Sequence, residues 1–146
     1  MEVNKPKKRI ETEGVGGLHV LGADDDLSMR ILEEKIFGML GINFQSVPNA
    51  QEGLRELESN PTKYQLVVSD RDMPGMNGED FLVAVRRMYP EIQTTLISGR
   101  KYEGVEVEQL RKKGIDRYIQ KPFSLSQIEG LIENTKNELE KRSQQL

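Results

Sequence analysis

The chain has 146 residues, of which 36% are hydrophobic and 31% charged, and its net charge is −3. This length suits one domain with a single substantial core, and the slight negative charge argues against direct binding of nucleic acid. There are no cysteines, which excludes a disulfide framework and a thiolate metal site. No apolar run reaches the roughly 18 residues of a membrane span, so we expect a cytoplasmic protein without one.

The N-terminal residues differ in character from the rest of the chain. They contain the basic stretch "KPKKR" and end in "GVGG". This composition predicts a flexible basic arm over residues 1–17, a folded domain over 18–142 and a frayed tail over 143–146.

From residue 18 onward, short apolar runs with β character alternate with segments of helical periodicity. The predicted strands are 18–23, 43–47, 65–70, 94–98 and 116–120, and the predicted helices are 27–40, 49–58, 78–88, 103–113 and 124–142. Right-handed crossovers place the helices of such βα units on both faces of a parallel sheet. The sequence therefore predicts a five-stranded, doubly wound α/β fold in three layers, of the flavodoxin-like type.

Residues at the predicted helix ends support these assignments. Gly41 and Gly114 follow the first and fourth helices, and Pro61 follows the second. Ser124 stands at the start of the fifth predicted helix, and Asp26 precedes the first. Both side chains are of the type that caps a helix N-terminus.

Polar and charged side chains stand where four of the predicted strands leave the core. They are Asp24, Asp25 and Asp26 after the first strand, Asp70 at the end of the third, Ser98 at the end of the fourth and Lys121 after the fifth. In an open α/β sheet, ligands bind outside the carboxyl ends of the strands. Because carboxylate oxygens suit Mg²⁺, which commonly binds beside a phosphate, we expect a magnesium site next to a phosphoryl group.

Some of the acids in these segments also have an ordinary interpretation. Asp26, and less readily Asp25, would serve as the cap of the first helix. Asp72 lies just before "MPG" and would serve as a turn residue.

Four stretches, "VLGADDDLSMR", "LVVSDRDMPGMNG", "TLISG" and "DRYIQKPF", occur in this order. With this order and spacing, the sequence resembles the receiver domain of two-component response regulators over about residues 18–137. The resemblance implies a CheY-like fold and a cis peptide bond between Lys121 and Pro122.

The resemblance also implies a role for each strand-end residue. It implies that Asp70 is the phosphoacceptor. It implies that Mg²⁺, or Mn²⁺ in its place, is bound by Asp24, Asp25, Asp70 and the main-chain carbonyl of Asp72. It further implies that Ser98 and Lys121 bind the phosphoryl group and that Ser98 and Tyr118 form the switch. Asp72, Gly99 and Arg100 match positions that modulate the lifetime of the phosphoryl group. Asp72 and Arg100 are expected to pair across the mouth of the site, or else to be two solvated charges. Gly99 is expected to leave the site more open than the alanine that is commoner there.

The implied function is phosphoryl transfer in signalling. A histidine kinase or a histidine phosphotransfer protein would donate the group to Asp70, and a downstream protein would bind the face made by the fourth helix, fifth strand and fifth helix. Such a protein is not a conventional enzyme, since it catalyses only its own Mg²⁺-dependent phosphorylation and dephosphorylation. It is either a stand-alone receiver or part of a longer regulator or hybrid kinase.

Two other functions fit parts of the pattern. A pseudo-receiver that binds partners without phosphorylation would have lost an acid or the lysine, and all of them are present. A haloacid-dehalogenase-like phosphatase would also begin with an acid pair such as Asp70 and Asp72, but it needs a further acidic pair after the lysine. Here the acidic pair, Asp24 and Asp25, precedes Asp70.

Overall fold

A computed structural model describes residues 17–145 of the chain. The predicted flexible arm over 1–17 therefore lies outside the described residues except for Gly17, and it stays a prediction. Within the described part no helix is both long and apolar enough to cross a membrane.

Five strands alternate with five helices along the described chain. They are β1 (His19–Ala23), α1 (Leu27–Met39), β2 (Asn43–Val47), α2 (Ala50–Ser59), β3 (Leu66–Asp70), α3 (Gly78–Met88), β4 (Gln93–Ser98), α4 (Gly104–Lys113), β5 (Arg117–Gln120) and α5 (Leu125–Gln144). All pairings are parallel, and the strand order is β2-β1-β3-β4-β5. The predicted fold class is confirmed.

The inner strands are buried because helices cover both faces of the sheet. Every residue of β4 is buried, and so is every residue of β3 except Asp70. On one face, Leu57 of α2, Phe81 of α3 and Leu110 of α4 belong to one core cluster. On the other face, Phe37 of α1 and Ile128 of α5 belong to a second.

Alternate side chains of each inner strand supply the two clusters, as the pleat of a strand requires. Leu21 of β1 and Val67 of β3 pair in register and belong to the first cluster. Their neighbours Val20 and Leu66 also pair, and they belong to the second. This packing covers both faces of the sheet, and because all five strands are parallel their carboxyl ends lie at the same edge.

The predicted helix ends are confirmed, with small shifts that the caps explain. Asp26 accepts a hydrogen bond from the Ser28 amide at 2.9 Å, and Ser124 accepts one from the Gln127 amide at 3.2 Å. Gly114 ends α4 in the left-handed region, with a φ of 107°. Three helices were predicted to begin at residues 49, 103 and 124, one residue before they begin in the structure. These positions are the N-caps of the three helices.

Candidate functional site

Asp70 is held at the end of β3 by a close approach of α3. The amide of Gly78, the first residue of α3, donates to the carbonyl of Arg71 at 2.8 Å. A Cβ atom at position 78 would lie only 1.9 Å from the carbonyl oxygen of Asp70. Glycine is therefore needed for α3 to begin this near the strand end.

Three carboxylates gather at this edge of the sheet. Asp24, Asp25 and Asp70 each offer one oxygen, and these oxygens lie within 4.8 Å of one another. Asp24 is 1% exposed, and its Oδ1 accepts from the Asp26 amide at 2.9 Å. Its Oδ2 is buried and has no hydrogen-bond partner.

Burial raises the pKa of Asp24 above its ordinary value. The amide of Asp26 and the charge of Lys121 oppose this shift, and the charges of Asp70 and Asp25 reinforce it. A carboxylate in such surroundings repels its acidic neighbours until a cation offsets the charge.

Lys121 reaches this cluster from the loop after β5. Its Nζ lies 2.7 Å from Asp70 Oδ1 and 3.7 Å from Asp24 Oδ2. Burial would lower the pKa of Lys121, but the hydrogen bond to Asp70 and the nearby negative charges outweigh burial and raise the pKa. The peptide bond between Lys121 and Pro122 is cis, as the resemblance implied.

Ser98 and Tyr118 both hydrogen-bond to the backbone of the same residue, Arg100. Ser98 ends β4, is 1% exposed, and its Oγ accepts from the Arg100 amide at 3.0 Å. Tyr118 lies on β5 and is half-buried, and its hydroxyl donates to the Arg100 carbonyl. The backbone of Arg100 therefore contacts both proposed switch residues.

Of the two alternatives for Asp72 and Arg100, the pair across the mouth of the site is not formed in this structure. Asp72 is 77% exposed in its side chain and pairs with its neighbour Arg71 at 2.8 Å. Arg100 pairs instead with Glu106 of α4 at 2.7 Å. Each charge has a nearer partner on its own segment. Gly99 is exposed, and an added Cβ would meet nothing within 4 Å.

The residues present fit a hard divalent cation. Three carboxylate oxygens converge, and the buried Asp24 Oδ2 has no hydrogen bond. Oxygen ligands of this kind suit Mg²⁺, which keeps several waters and takes few protein ligands. Mn²⁺ accepts the same ligand types.

Sequence reasoning missed two features close to the site. Glu33 of α1 is 4% exposed, and it is near enough for the charges of Asp24 and Lys121 to affect its pKa. Tyr102, in the loop after β4, is 8% exposed and donates to Glu79 of α3. Glu33 shares the buried face of α1 with Phe37, but the same helix exposes Leu27, Ile31, Leu32 and Met39, so its apolar pattern does not mark that face. No signal in the sequence pairs Tyr102 with Glu79.

The strand order and the acids and lysine at the carboxyl edge define a CheY-like α/β protein. Comparison with protein families gives the same answer, because the model of the response regulator receiver domain matches residues 20–133. The chain belongs to the response regulator receiver family.

Individual relatives agree with this assignment. The two-component response regulator ARR17 of Arabidopsis thaliana is 32% identical over 129 residues, an alignment that covers 78% of this chain and 82% of the relative. A receiver domain protein from Clostridium thermocellum has the same fold, with a TM-score of 0.78 at 21% identity, over 84% of this chain and 97% of that one. A Borrelia burgdorferi CheX–CheY–BeF3–Mg²⁺ complex matches with a TM-score of 0.71 at 22% identity, over 76% and 83% of the two chains.

Proposed function

We propose that this protein accepts a phosphoryl group on Asp70 from a phosphohistidine of a histidine kinase or histidine phosphotransfer protein. The observation that carries the proposal is the contact between Lys121 Nζ and Asp70 Oδ1, at 2.7 Å, beside the cluster of Asp24 and Asp25. An acid at a strand end, with a cationic side chain and two further acids beside it, suits phosphoryl transfer.

The chain's own residues position the reaction. A carboxylate oxygen of Asp70 attacks phosphorus, so that a P–O bond forms as the P–N bond to the donor imidazole breaks. The ammonium group of Lys121, already close to Asp70, offsets negative charge on the transferring oxygens. The hydroxyl proton of Ser98 is available as a donor, because its Oγ uses only a lone pair to accept from Arg100.

Asp24, Asp25, Asp70 and the main-chain carbonyl of Asp72 would hold Mg²⁺, or Mn²⁺ in its place. When bound, the ion supplies positive charge that offsets the oxygens of the transferring group. The Borrelia complex named above contains Mg²⁺ and BeF3, which supports assigning a metal to the acidic cluster here.

Phosphorylation would then act on the face formed by α4, β5 and α5. The acyl phosphate carries about two negative charges, and Ser98 donates to it while Tyr118 adjusts its contact with Arg100. A downstream protein reads this face. Asp72, Gly99 and Arg100, which follow the strands that carry Asp70 and Ser98, would modulate the lifetime of the phosphoryl group.

The proposed setting is a cytoplasmic signalling pathway with protein partners and no direct contact with nucleic acid. Membership in the receiver family decides against the phosphatase alternative. A pseudo-receiver is disfavoured because all the acids and Lys121 are present and near one another. It differs from the proposed function in a single measurable property, the acceptance of a phosphoryl group.

Intact-mass measurement after incubation with acetyl phosphate and Mg²⁺ tests the proposal. The wild type should gain the mass of one phosphoryl group, which alkali removes, and Asp70→Asn should gain none. Asp80→Asn is the matched control, because Asp80 is an exposed acid in the first turn of α3. Equal labelling of wild type and Asp70→Asn would refute the assignment, and an unlabelled wild type would support the pseudo-receiver.

A further inference from the structure

Tyr102 is buried although it lies in the loop between β4 and α4. Its side chain belongs to the core cluster beneath α3 and α4, and the residue is 8% exposed. Its hydroxyl donates to a carboxylate oxygen of Glu79, the second residue of α3, at 2.5 Å. A hydrogen bond to a charged acceptor is stronger than one between neutral groups.

Glu79 connects three segments of the chain. Besides Tyr102, its carboxylate lies 3.5 Å from Arg71 Nε, directly after the phosphoacceptor, and 3.2 Å from Lys113 Nζ, at the end of α4. Burial would raise the pKa of Glu79, but the hydrogen bonds from Tyr102 and Lys113 outweigh burial and lower the pKa. Glu79 is therefore a charged acceptor at neutral pH, with only 16% of its side chain exposed.

The ring of Tyr102 packs against Tyr118. The two ring centroids are 4.7 Å apart with a tilt of 58°, a favourable arrangement for an aromatic pair. The guanidinium carbon of Arg100 lies 4.6 Å from the centroid of the Tyr102 ring. The hydroxyl of Tyr118 also donates a hydrogen bond to the Arg100 carbonyl. Tyr102 therefore contacts both Tyr118 and Arg100, the residue that accepts this hydrogen bond.

We propose that Glu79 and Tyr102 are positioning residues for Tyr118, and we call their hydrogen bond the Glu79–Tyr102 latch. The latch holds the loop after β4 so that the ring of Tyr102 keeps Tyr118 in its half-buried position. The latch thereby links the face formed by α4, β5 and α5 to α3 and to the segment that follows Asp70. The inference rests on the proposed function only in taking Tyr118 as the switch residue.

Tyr102→Phe tests the latch with the smallest possible change, because it removes the hydroxyl and keeps the ring. The ring of Tyr118 can be followed by NMR in protein with ¹³C-labelled tyrosine, since the chain has only four tyrosines, and Tyr118→Phe assigns its signal. The ratio of half-buried to exposed Tyr118 should fall by about 10- to 100-fold, the range that corresponds to losing one hydrogen bond to a charged group. The Tyr118 signal should move towards that of an exposed tyrosine.

Two further variants separate positioning from general stability. Glu79→Gln keeps the size of the side chain and removes its charge, so it should move the Tyr118 signal in the same direction, and the double variant should add little to either single change. Glu108→Gln removes an acid from the exposed face of α4, where Glu108 pairs with Arg111 at 3.3 Å. This control should leave the Tyr118 signal in place.

An unchanged Tyr118 signal in both Tyr102→Phe and Glu79→Gln would overturn the latch, even if both variants lose thermal stability. Should Tyr102→Phe fail to fold, Glu79→Gln decides the matter alone. The proposed function is read separately, from formation of a beryllofluoride adduct at Asp70 by the wild type with Mg²⁺. A wild type without the adduct would refute that function, whereas the effect of Tyr102→Phe on the unmodified protein tests the latch in either case.

Discussion

Glu33 is an acid in an unusual place for a charged residue. It lies on the buried face of α1, is 4% exposed, and its Oε1 has no hydrogen-bond partner. Burial, reinforced by the charge of Asp24, raises the pKa of Glu33 to about 8, while Lys121 opposes the shift. The carboxyl group is therefore largely protonated at neutral pH, which avoids adding a further negative charge behind the acidic cluster.

Stability should consequently fall as Glu33 ionises. Its folded pKa of about 8 lies above the ordinary value of 4.5, so the folded state binds this proton more tightly than the unfolded chain. The stabilisation is complete below pH 4.5 and is lost as pH rises through about 8. At about 1.4 kcal/mol per pKa unit, the loss is roughly 3–5 kcal/mol.

Urea unfolding at pH 5 and pH 8.5 measures this effect. Glu33→Gln cannot ionise, so the wild type should lose more stability than this variant between the two pH values. Glu129→Gln, at an exposed position of α5, should follow the wild type. The same pH dependence in Glu33→Gln and the wild type would show that Glu33 is already ionised at pH 5.

Two neighbouring acids before α1 are expected to differ in role, Asp25 as a proposed metal ligand and Asp26 as the helix cap, and single substitutions should separate them. Asp25→Ala removes one carboxylate of the proposed metal site and relieves repulsion with Asp24 and Asp70, so Mg²⁺ affinity should fall without loss of metal-free thermal stability. Asp26→Ala removes the cap of α1 and should cost about 1 kcal/mol with a smaller change in affinity. Mg²⁺ titration measures the affinity of each variant for the ion, and thermal unfolding measures its stability. Equal Mg²⁺ affinities in Asp25→Ala and the wild type would show that Asp25 is not a metal ligand.

At the scale of whole elements, most of the fold could be predicted from the sequence. Apolar runs such as Leu66-Val67-Val68 become inner strands because both faces of the sheet are covered. The rule that ligands bind at the carboxyl ends of parallel strands was enough to bring Asp70, Asp24 and Lys121 together. The rule predicts that the backbones of these three residues lie at the carboxyl edge of the sheet, and it is correct for all three.

The same rule does not give the direction of a long side chain. Asp72 and Arg100 follow neighbouring strands, yet each pairs within its own segment. The contact between Glu79 and Tyr102 joins residues 23 positions apart on different elements, so no periodicity in the sequence indicates it. Such contacts depend on the packed loops, which only the three-dimensional structure gives.

The start of α3 should be intolerant of a side chain. In Gly78→Ala, the new Cβ would lie 1.9 Å from the Asp70 carbonyl, so α3 must shift at a cost of about 1–3 kcal/mol. Gly130→Ala is the matched control, since Gly130 lies within α5 with nothing within 4 Å of an added Cβ, and this change should stabilise by up to about 1 kcal/mol. Urea unfolding compares them, and a neutral Gly78→Ala would mean that α3 moves freely relative to β3.

At the scale of the described fold, the proposed switch lies at the margin of the first core, because Tyr118 packs against that cluster from β5 and is only half-buried. The buried strands and the helices packed on both faces form a fixed frame. Within its own span α4 buries only Leu110, whereas α3 buries four residues. Because α4 buries few residues, we expect it to be the helix that moves most readily in the proposed switch.

Ser98→Ala tests whether phosphorylation of the site affects the face formed by α4, β5 and α5 through Ser98. The variant keeps Asp70, Lys121 and the proposed metal ligands, so it should still form a beryllofluoride adduct. It loses the hydroxyl that accepts from the Arg100 amide and that would donate to the phosphoryl group, a bond worth roughly 1.5–3 kcal/mol. In the wild type the adduct should shift NMR signals of residues 98–123, and in Ser98→Ala the shifts around Tyr118 should shrink. Full-sized shifts at Tyr118 in the variant would mean that coupling follows another route, with Ser98 acting as a ligand only.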